Sequence, residues 1–338
     1  MSEILSDISK FKPVSGDITK ITIAHELKVY NALAAAKRAG RLSDEQFASV
    51  APKGSRPGVL YGLPKVHKPG VPIRPILSAT GTDTYKLAKM FVPLISKLAK
   101  NEFSVTDSFD FATKISSEQF SPSTFMVSYD VKSLFTNIPV IEAVEAVIDS
   151  LFSDTSIVSG LDKKTFRKLL LLAVQNNHFL FDGNVFMLTD GVAMGSPLGP
   201  SLACAFLCML ERRLLSDCPL RCRPLLYRRY VDDTFALFQN EQQANEFLDH
   251  LNSLHPNIQF TLETETNNSL PFLDVLVTRS DGTFSTTIYR KPTFTGLLTN
   301  FAGFIPINFK RELIFSPLHW VFSITSSNAL FHDQVLFV

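Results

Sequence analysis

Two strand-forming runs that carry acids at their ends constrain this chain more than anything else in it. Phe125-Met126-Val127-Ser128-Tyr129 leads into Asp130, and Asp232-Asp233 stand between Arg229-Tyr230-Val231 and Thr234-Phe235-Ala236-Leu237-Phe238. β-Branched and aromatic residues suit the half-buried surface of a sheet, so these acids are expected at a strand end and in a hairpin turn. One reading is local: Asx side chains cap turns, and an Asp-Asp pair can do no more than that. The other is that the three carboxylates converge, in which case their repulsion raises their pKa values unless cations neutralise them. Hard oxygen ligands select Mg²⁺, which is commonly held by one or two carboxylates plus substrate phosphates. The chemistry such a site serves is phosphoryl transfer with two ions about 3.5–4 Å apart.

The flanking pattern indicates the fold class. Hydrophobic periodicity predicts helices over 141–152, 163–176, 200–215 and 244–254, a hairpin over 179–188 turning at Asp182-Gly183, and strands over 258–264, 271–279 and 284–289. The order strand, two helices, hairpin, helix, strand predicts an α+β fold, an antiparallel sheet with helices on one face. Residues 18–50 read as a helical extension, with Ser43-Asp44-Glu45-Gln46 as a capping signal, and 85–98 as a further helix.

Composition bounds the chemistry. With 338 residues, 45% hydrophobic content and 29 phenylalanines, the chain can bury a large aromatic core, which excludes a disordered or disulfide-stapled class. A net charge of +1 gives no bulk field toward an anionic partner, so any basic surface is local. Residues 53–100 supply one: nine cations (Lys53, Arg56, Lys65, Lys68, Arg74, Lys86, Lys89, Lys97, Lys100) face a single acid, Asp83, among repeated Pro and Gly. Rigid loops bearing cations suit phosphate contacts, while a merely solvated basic surface is the plainer alternative. Arg221, Arg223, Arg228 and Arg229 precede the acidic pair as a second cluster. Four cysteines and an N-terminus without an apolar leader point to an intracellular, reducing compartment, and no apolar run is long enough to span a membrane.

The motifs between and beyond the acids carry a resemblance. Ala193-Met194-Gly195-Ser196-Pro197-Leu198-Gly199-Pro200 lies between Asp130 and Tyr230-Val231-Asp232-Asp233, in the order of reverse transcriptase palm motifs. Tyr61-Gly62-Leu63-Pro64-Lys65-Val66-His67-Lys68, Arg74-Pro75-Ile76, Phe135-Thr136-Asn137-Ile138-Pro139, Leu270-Pro271-Phe272-Leu273-Asp274-Val275 and Tyr289-Arg290-Lys291-Pro292-Thr293 extend the match. Together, over roughly residues 40–330, they resemble the Penelope-like retroelement reverse transcriptases, relatives of telomerase, in their polymerase part without the GIY-YIG endonuclease.

That resemblance implies a right-hand polymerase: an N-terminal helical extension (1–55), fingers (56–120), palm (121–283) and a partial thumb (284–338). It implies an RNA-directed DNA polymerase that extends a DNA primer on an RNA template with dNTPs and two Mg²⁺ ions, inside the cell and, for a retroelement, in the nucleus. Asp130, Asp232 and Asp233 would be the catalytic and metal-binding carboxylates. Lys65 and Arg74 would meet the triphosphate, Phe135 would stack under the incoming sugar and exclude a 2′-hydroxyl, and Gly195 and Ser196 would bring backbone close to the nucleotide. Leu270, Pro271, Phe272 and Leu273 would form the primer grip, and Tyr289, Arg290 and Lys291 would hold the primer-template backbone. Asp274 reads as structural.

Two other functional classes stay open at this point: a decayed or truncated copy that only binds nucleic acid, and an RNA-dependent RNA polymerase, which Phe135 disfavours. A four-cysteine zinc site is disfavoured by the spacing of Cys204, Cys208, Cys218 and Cys222, and the histidines show no metal-ligand spacing.

Overall fold

The computed structural model describes residues 2–66, 70–175, 177–296 and 299–335, so His67 and Lys68 of the basic motif lie outside the described residues. The chain divides into two compact units that interleave along the sequence. The first comprises residues 1–102, 132–216 and 254–258, and the second 103–131, 217–253 and 259–338.

The second unit is built around the acid-bearing strands. Phe125–Val131 pairs antiparallel with Asp233–Phe238 on one side and Phe260–Thr264 on the other, and Leu226–Tyr230 completes a four-stranded sheet. Alternation along Phe125–Val131 sends Val127, Tyr129 and Val131 to one face and Met126, Ser128 and Asp130 to the other. On the first face the Tyr129 ring packs against Phe247 of helix Glu241–Ser253, and its hydroxyl donates to the Ala244 carbonyl at 2.9 Å. Burial pushes the Tyr129 phenol well above its ordinary range, so it stays a neutral donor. The second face is covered by helix Ser108–Ser117 and a three-stranded sheet, Ser269–Phe272, Val275–Ser280 and Thr283–Ile288. Phe111 is the centre of that contact, with ring centroids 5.2 Å from Phe235 and 4.6 Å from Phe272. Helix Ile307–Ile324 closes this side, its Ile324 buried in the same core.

The first unit carries a five-stranded sheet in the order Phe11–Pro13, Asn184–Leu188, Asn177–Phe181, Gly58–Pro64, Ile73–Ser78. Gly58–Pro64 runs parallel to Asn177–Phe181, and the other pairings are antiparallel. Helices Tyr85–Ile95 and Lys163–Val174 meet through Phe91 and Phe166, whose ring centroids are 4.9 Å apart. Helix Gly199–Ser216 is apolar on most sides and correspondingly buried, with Leu202, Ala203 and Phe206 fully covered.

The α+β class expected from the pattern is observed, and most predicted elements lie within a few residues of their expected bounds. Two details differ. The helical stretch 18–50 is two helices, Ile18–Arg38 and Asp44–Val50, broken at Gly40 in a left-handed conformation and restarted by the Ser43 capping box. The segment before it supplies the edge strand Phe11–Pro13 to the sheet.

Candidate active site

The carboxylates come together through strand register. Asp130 lies directly opposite Asp233 in the antiparallel ladder, and Tyr230 opposes Asp233 from the other side. Directly opposed residues project to one face with Cβ atoms about 4.5–5.5 Å apart, so the two carboxylates share a face. Asp232 occupies the intervening turn, and its carbonyl accepts from the Val131 amide at 3.3 Å. Asp130 and Asp232 are half-buried and Asp233 is exposed.

The turn itself is under strain. Val231 has φ +54° while Asp232 is not among the residues of positive φ, the signature of a type II′ hairpin turn. Glycine is the residue that fits this first position, and a β-branched side chain there costs on the order of 1–3 kcal/mol. What holds it is Arg229, a buried residue 3% exposed whose guanidinium donates to the Val231 carbonyl at 3.0 Å. The backbone of Arg229 is also clamped by Phe103 and Val105, its amide donating to the Phe103 carbonyl and its carbonyl accepting from Val105. The arginines expected as a basic surface are therefore partly structural: Arg229 braces the turn, and Arg228 lies 4.0 Å from Glu118. Arg221 pairs with Glu246 at 3.3 Å.

The donor set suits a hard divalent cation. Two carboxylates on one face, with a third on the adjoining turn, match the habit of Mg²⁺ of taking one or two carboxylates and completing its shell with water and phosphate oxygens. Among the described residues no group of three or more His, Cys, Asp or Glu side chains is gathered to hold a metal by itself.

In the same unit the hairpin Ser269–Phe272/Val275–Ser280 turns at Leu273-Asp274, both with positive φ, a type I′ turn. Leu270 and Phe272 are buried core residues, and Leu273 packs partly against them, so the surface this hairpin offers is its backbone, Pro271 and the turn. Tyr289, Arg290 and Lys291 follow the third strand against that turn. The Tyr289 amide donates to the Asp274 carbonyl at 2.8 Å, and Lys291 lies 3.9 Å from the Asp274 carboxylate. Arg290 donates to the Gln334 side chain. Asp274 is thus a local organiser of the turn.

The first unit holds the remaining predicted residues. Phe135 lies in the one-turn helix Leu134–Asn137, entered through Ser133 at φ +49°. Its carbonyl accepts from the Val192 amide at 2.6 Å, and its ring lies over Gly199, where a Cβ would come 3.9 Å from Phe135 Cδ1. The Gly195 amide donates to the Leu77 carbonyl at 3.1 Å, and a Cβ on Gly195 would fall 2.3 Å from that oxygen. The glycine is thus required by its close approach to strand Ile73–Ser78. Ser196 is 9% exposed and its hydroxyl accepts from the Leu198 amide at 3.4 Å, at the entry to helix Gly199–Ser216. Arg74, exposed, stands on the same strand as Ser78, the bridge partner of Gly195, about 13 Å away at ~3.3 Å per residue. Lys65 is half-buried at the end of the neighbouring strand, its amide donating to Pro72. Phe135, Gly195 and Ser196 are therefore brought together, with Arg74 and Lys65 farther out on the sheet.

Three supports were not singled out from sequence. Asp190 accepts from the Val140 amide at 3.0 Å and so caps helix Val140–Leu151. Gly191, at φ +83°, passes so close to Thr136 that a Cβ would lie 2.8 Å from its backbone. Asn137 ties the Phe135 turn by donating to the Lys132 carbonyl at 2.7 Å and accepting from Lys10. The first two sit in Thr189-Asp190-Gly191, a turn signal directly before the Ala193–Pro200 motif.

Comparison with known proteins agrees with this architecture. Residues 66–265 match the family described as reverse transcriptase (RNA-dependent DNA polymerase). The fold is similar to telomerase from Candida albicans in complex with a fragment of telomeric RNA, at 13% identity and TM-score 0.60, over 84% of this chain and 54% of that one. It is also similar to apo telomerase from Candida tropicalis, at 12% identity and TM-score 0.53, over 85% of this chain and 57% of that one. The chain thus spans about half the length of these telomerase chains. No curated protein matches it in sequence. With the matched segment covering more than half of its length and containing all three aspartates, the chain belongs to the reverse transcriptase (RNA-dependent DNA polymerase) family.

Proposed function

We propose that this chain is the polymerase part of a retroelement reverse transcriptase of the Penelope-like kind, extending a DNA primer on an RNA template with dNTPs. The observation that carries the reading is the register of Asp130 against Asp233 with Asp232 on the strained turn between strands. Opposed carboxylates on one face are unfavourable in a purely structural sheet, and a turn residue held at positive φ by a buried arginine is a cost that function explains. Two bound Mg²⁺ would lower the pKa of the attacking primer hydroxyl and stabilise the leaving oxygen. The protein's own part is to hold Asp130, Asp232 and Asp233 where they can ligate them. Lys65 and Arg74 offset triphosphate charge, Arg as a planar fork and Lys as a point charge. Phe135 presents its ring to the sugar and disfavours a 2′-hydroxyl, which supports deoxynucleotides over ribonucleotides.

We keep the division into N-terminal extension, fingers, palm and partial thumb as part of this reading, with Pro271 and the Leu273-Asp274 turn as the grip surface and Tyr289, Arg290 and Lys291 on the primer-template backbone. A nuclear site of action follows from the retroelement assignment. The test is primer extension on an RNA template with Mg²⁺ and labelled dNTPs. Template-length product supports the reading, and primer-template binding without extension reassigns the chain to a nucleic-acid-binding role.

A further inference from the structure

Away from the residues above, the first unit carries a groove of about 840 Å³ between helices Ile18–Arg38 and Lys163–Val174. Its floor is aliphatic: Ala24, Leu27, Leu171 and Leu172. Its lips are cationic: Lys28 from one helix, Lys164, Arg167 and Lys168 from the other, and among the described residues neither an acid nor an aromatic ring lines it. Arg167 is engaged by Glu145, but Lys28, Lys164 and Lys168 form no ion pair among the described residues. Helix Ile18–Arg38 buries Val29, Leu33 and Ala36 while leaving Leu27 56% and Ile23 62% exposed, so it has a second apolar stripe that stays largely open to solvent among the described residues.

We infer that this groove docks an acidic amphipathic helix of a partner protein. Two helices with leucines between them and a free apolar stripe accept a third helix as ridges into a groove. The lining residues of the first helix, 24–32, span about 12 Å at ~1.5 Å per residue, which fits two to three turns of a partner. Aliphatic residues at i, i+3 or i+4 and i+7 would meet Leu27, Leu171 and Leu172, and flanking glutamates or aspartates would meet the lysines. Charge complementarity on both lips selects acidic partners and rejects basic ones. Single-stranded nucleic acid is the weaker fit, because groove binders of that class stack bases on aromatic rings and the described lining has none.

The probe is a fluorescent helical peptide of about four turns with leucines on one face and glutamates beside them, titrated against the full chain by anisotropy. Its comparators are a scrambled peptide of the same composition, the same helix with lysines replacing the glutamates, and a single-stranded RNA oligonucleotide. The expected result is micromolar binding of the acidic helix, weakened at least about tenfold by scrambling, by Lys164→Glu with Lys168→Glu, or by Leu27→Asp, with each variant's folding checked by circular dichroism. Equal affinity for the scrambled peptide, or no effect of the charge reversals in folded protein, overturns the inference. Loss of RNA affinity in the charge reversals with peptide binding unchanged makes the groove a nucleic-acid surface instead. Concentration-dependent dimerisation in sedimentation that Leu27→Asp abolishes assigns it to a second copy of this chain.

Discussion

Asp232→Asn keeps the volume and the turn while removing a ligating charge, so primer extension should fall by at least about a hundredfold with melting temperature and template affinity unchanged. Activity within about tenfold of the parent would take Asp232 out of the metal set. Phe135→Ala should raise ribonucleotide over deoxynucleotide incorporation by up to about a hundredfold, the scale of steric discrimination. Its half-buried ring makes the stability loss smaller than the about 3–5 kcal/mol of a fully buried phenylalanine such as Phe111, so both mutants belong in one melting experiment. An unchanged sugar ratio in a destabilised Phe135→Ala protein would leave the ring a packing residue. Glycine gives the sharpest contrast between what sequence can and cannot tell. That Gly195 is needed was legible; that Leu77's carbonyl is what needs it was not, because a contact 118 positions apart leaves no local trace. Arg229 is the opposite case, a cation read as surface whose burial depends on strands that pair only in the fold.

Helices and strands with clear periodicity or a tight turn were legible, and the elements that escaped did so for physical reasons. Helix Ser108–Ser117 is short and opens with the polar Ser108 and Asp110; its register is fixed by Phe111, Ala112 and Ile115 packing on a sheet distant in sequence. The strand expected over 271–279 is split by Leu273-Asp274, because leucine at positive φ carries no turn signal. Between elements, Arg279 joins its strand to the main sheet. Its Nε donates to both oxygens of Glu265 at 2.9 and 3.0 Å, and Glu265 in turn accepts from the Met126 amide at 3.0 Å. With the Glu265 side chain only 5% exposed, Arg279→Ala strands a buried carboxylate and should cost about 3–5 kcal/mol in denaturant unfolding, whereas Arg279→Lys should recover part of it. A second coupling depends on pH. Burial first, then the His25 ring and Lys28, hold His178 below the usual imidazole range against the opposing pull of Asp83. The folded chain therefore binds that proton less readily than the unfolded one, whose imidazole titrates near about 6.5. Stability from this site is complete above that value and declines as pH falls through it. The melting temperature should drop between pH 7.5 and 5.5, and His178→Gln should flatten the drop; an equal drop in the mutant would place the titrating group elsewhere.

At the scale of the molecule, consecutive segments are the expectation from the sequence, whereas the fold divides into two units that interleave along the chain. The boundary between Val131 and Lys132 falls between adjacent residues with no change of composition, so nothing local marks it. The basic stretch is exposed more uniformly than the arginine cluster, in which Arg229 is buried. Lys53, Arg56, Arg74, Lys86, Lys89, Lys97 and Lys100 are all exposed on the first unit. Primer-template affinity should accordingly fall steeply with salt, each contacted phosphate contributing about −0.9 to the log-log slope on duplex DNA. Replacing a contacting lysine by alanine should reduce that slope by about one, whereas Arg229→Ala should lower the melting temperature and leave the slope intact. A slope near zero would make these cations solubilising only.

The ladder that sets Asp130 against Asp233 also dictates which length changes this protein can survive. Side chains alternate faces with a period of two, so an insertion of one residue within strand Asp233–Phe238 carries every downstream side chain to the opposite face, moving Phe235 and Leu237 out of the core they share with Phe111. An insertion of two restores the faces but slides the strand about 6.8 Å past its partner at ~3.4 Å per residue. Change of length is thus governed by parity inside the sheet and is nearly free in open surface turns, so lineages of this chain should drift by gaining and losing residues at places such as the exposed Asp182-Gly183 turn, where a Cβ on Gly183 would meet nothing within 4 Å, and never within the strands that set the two aspartates against each other.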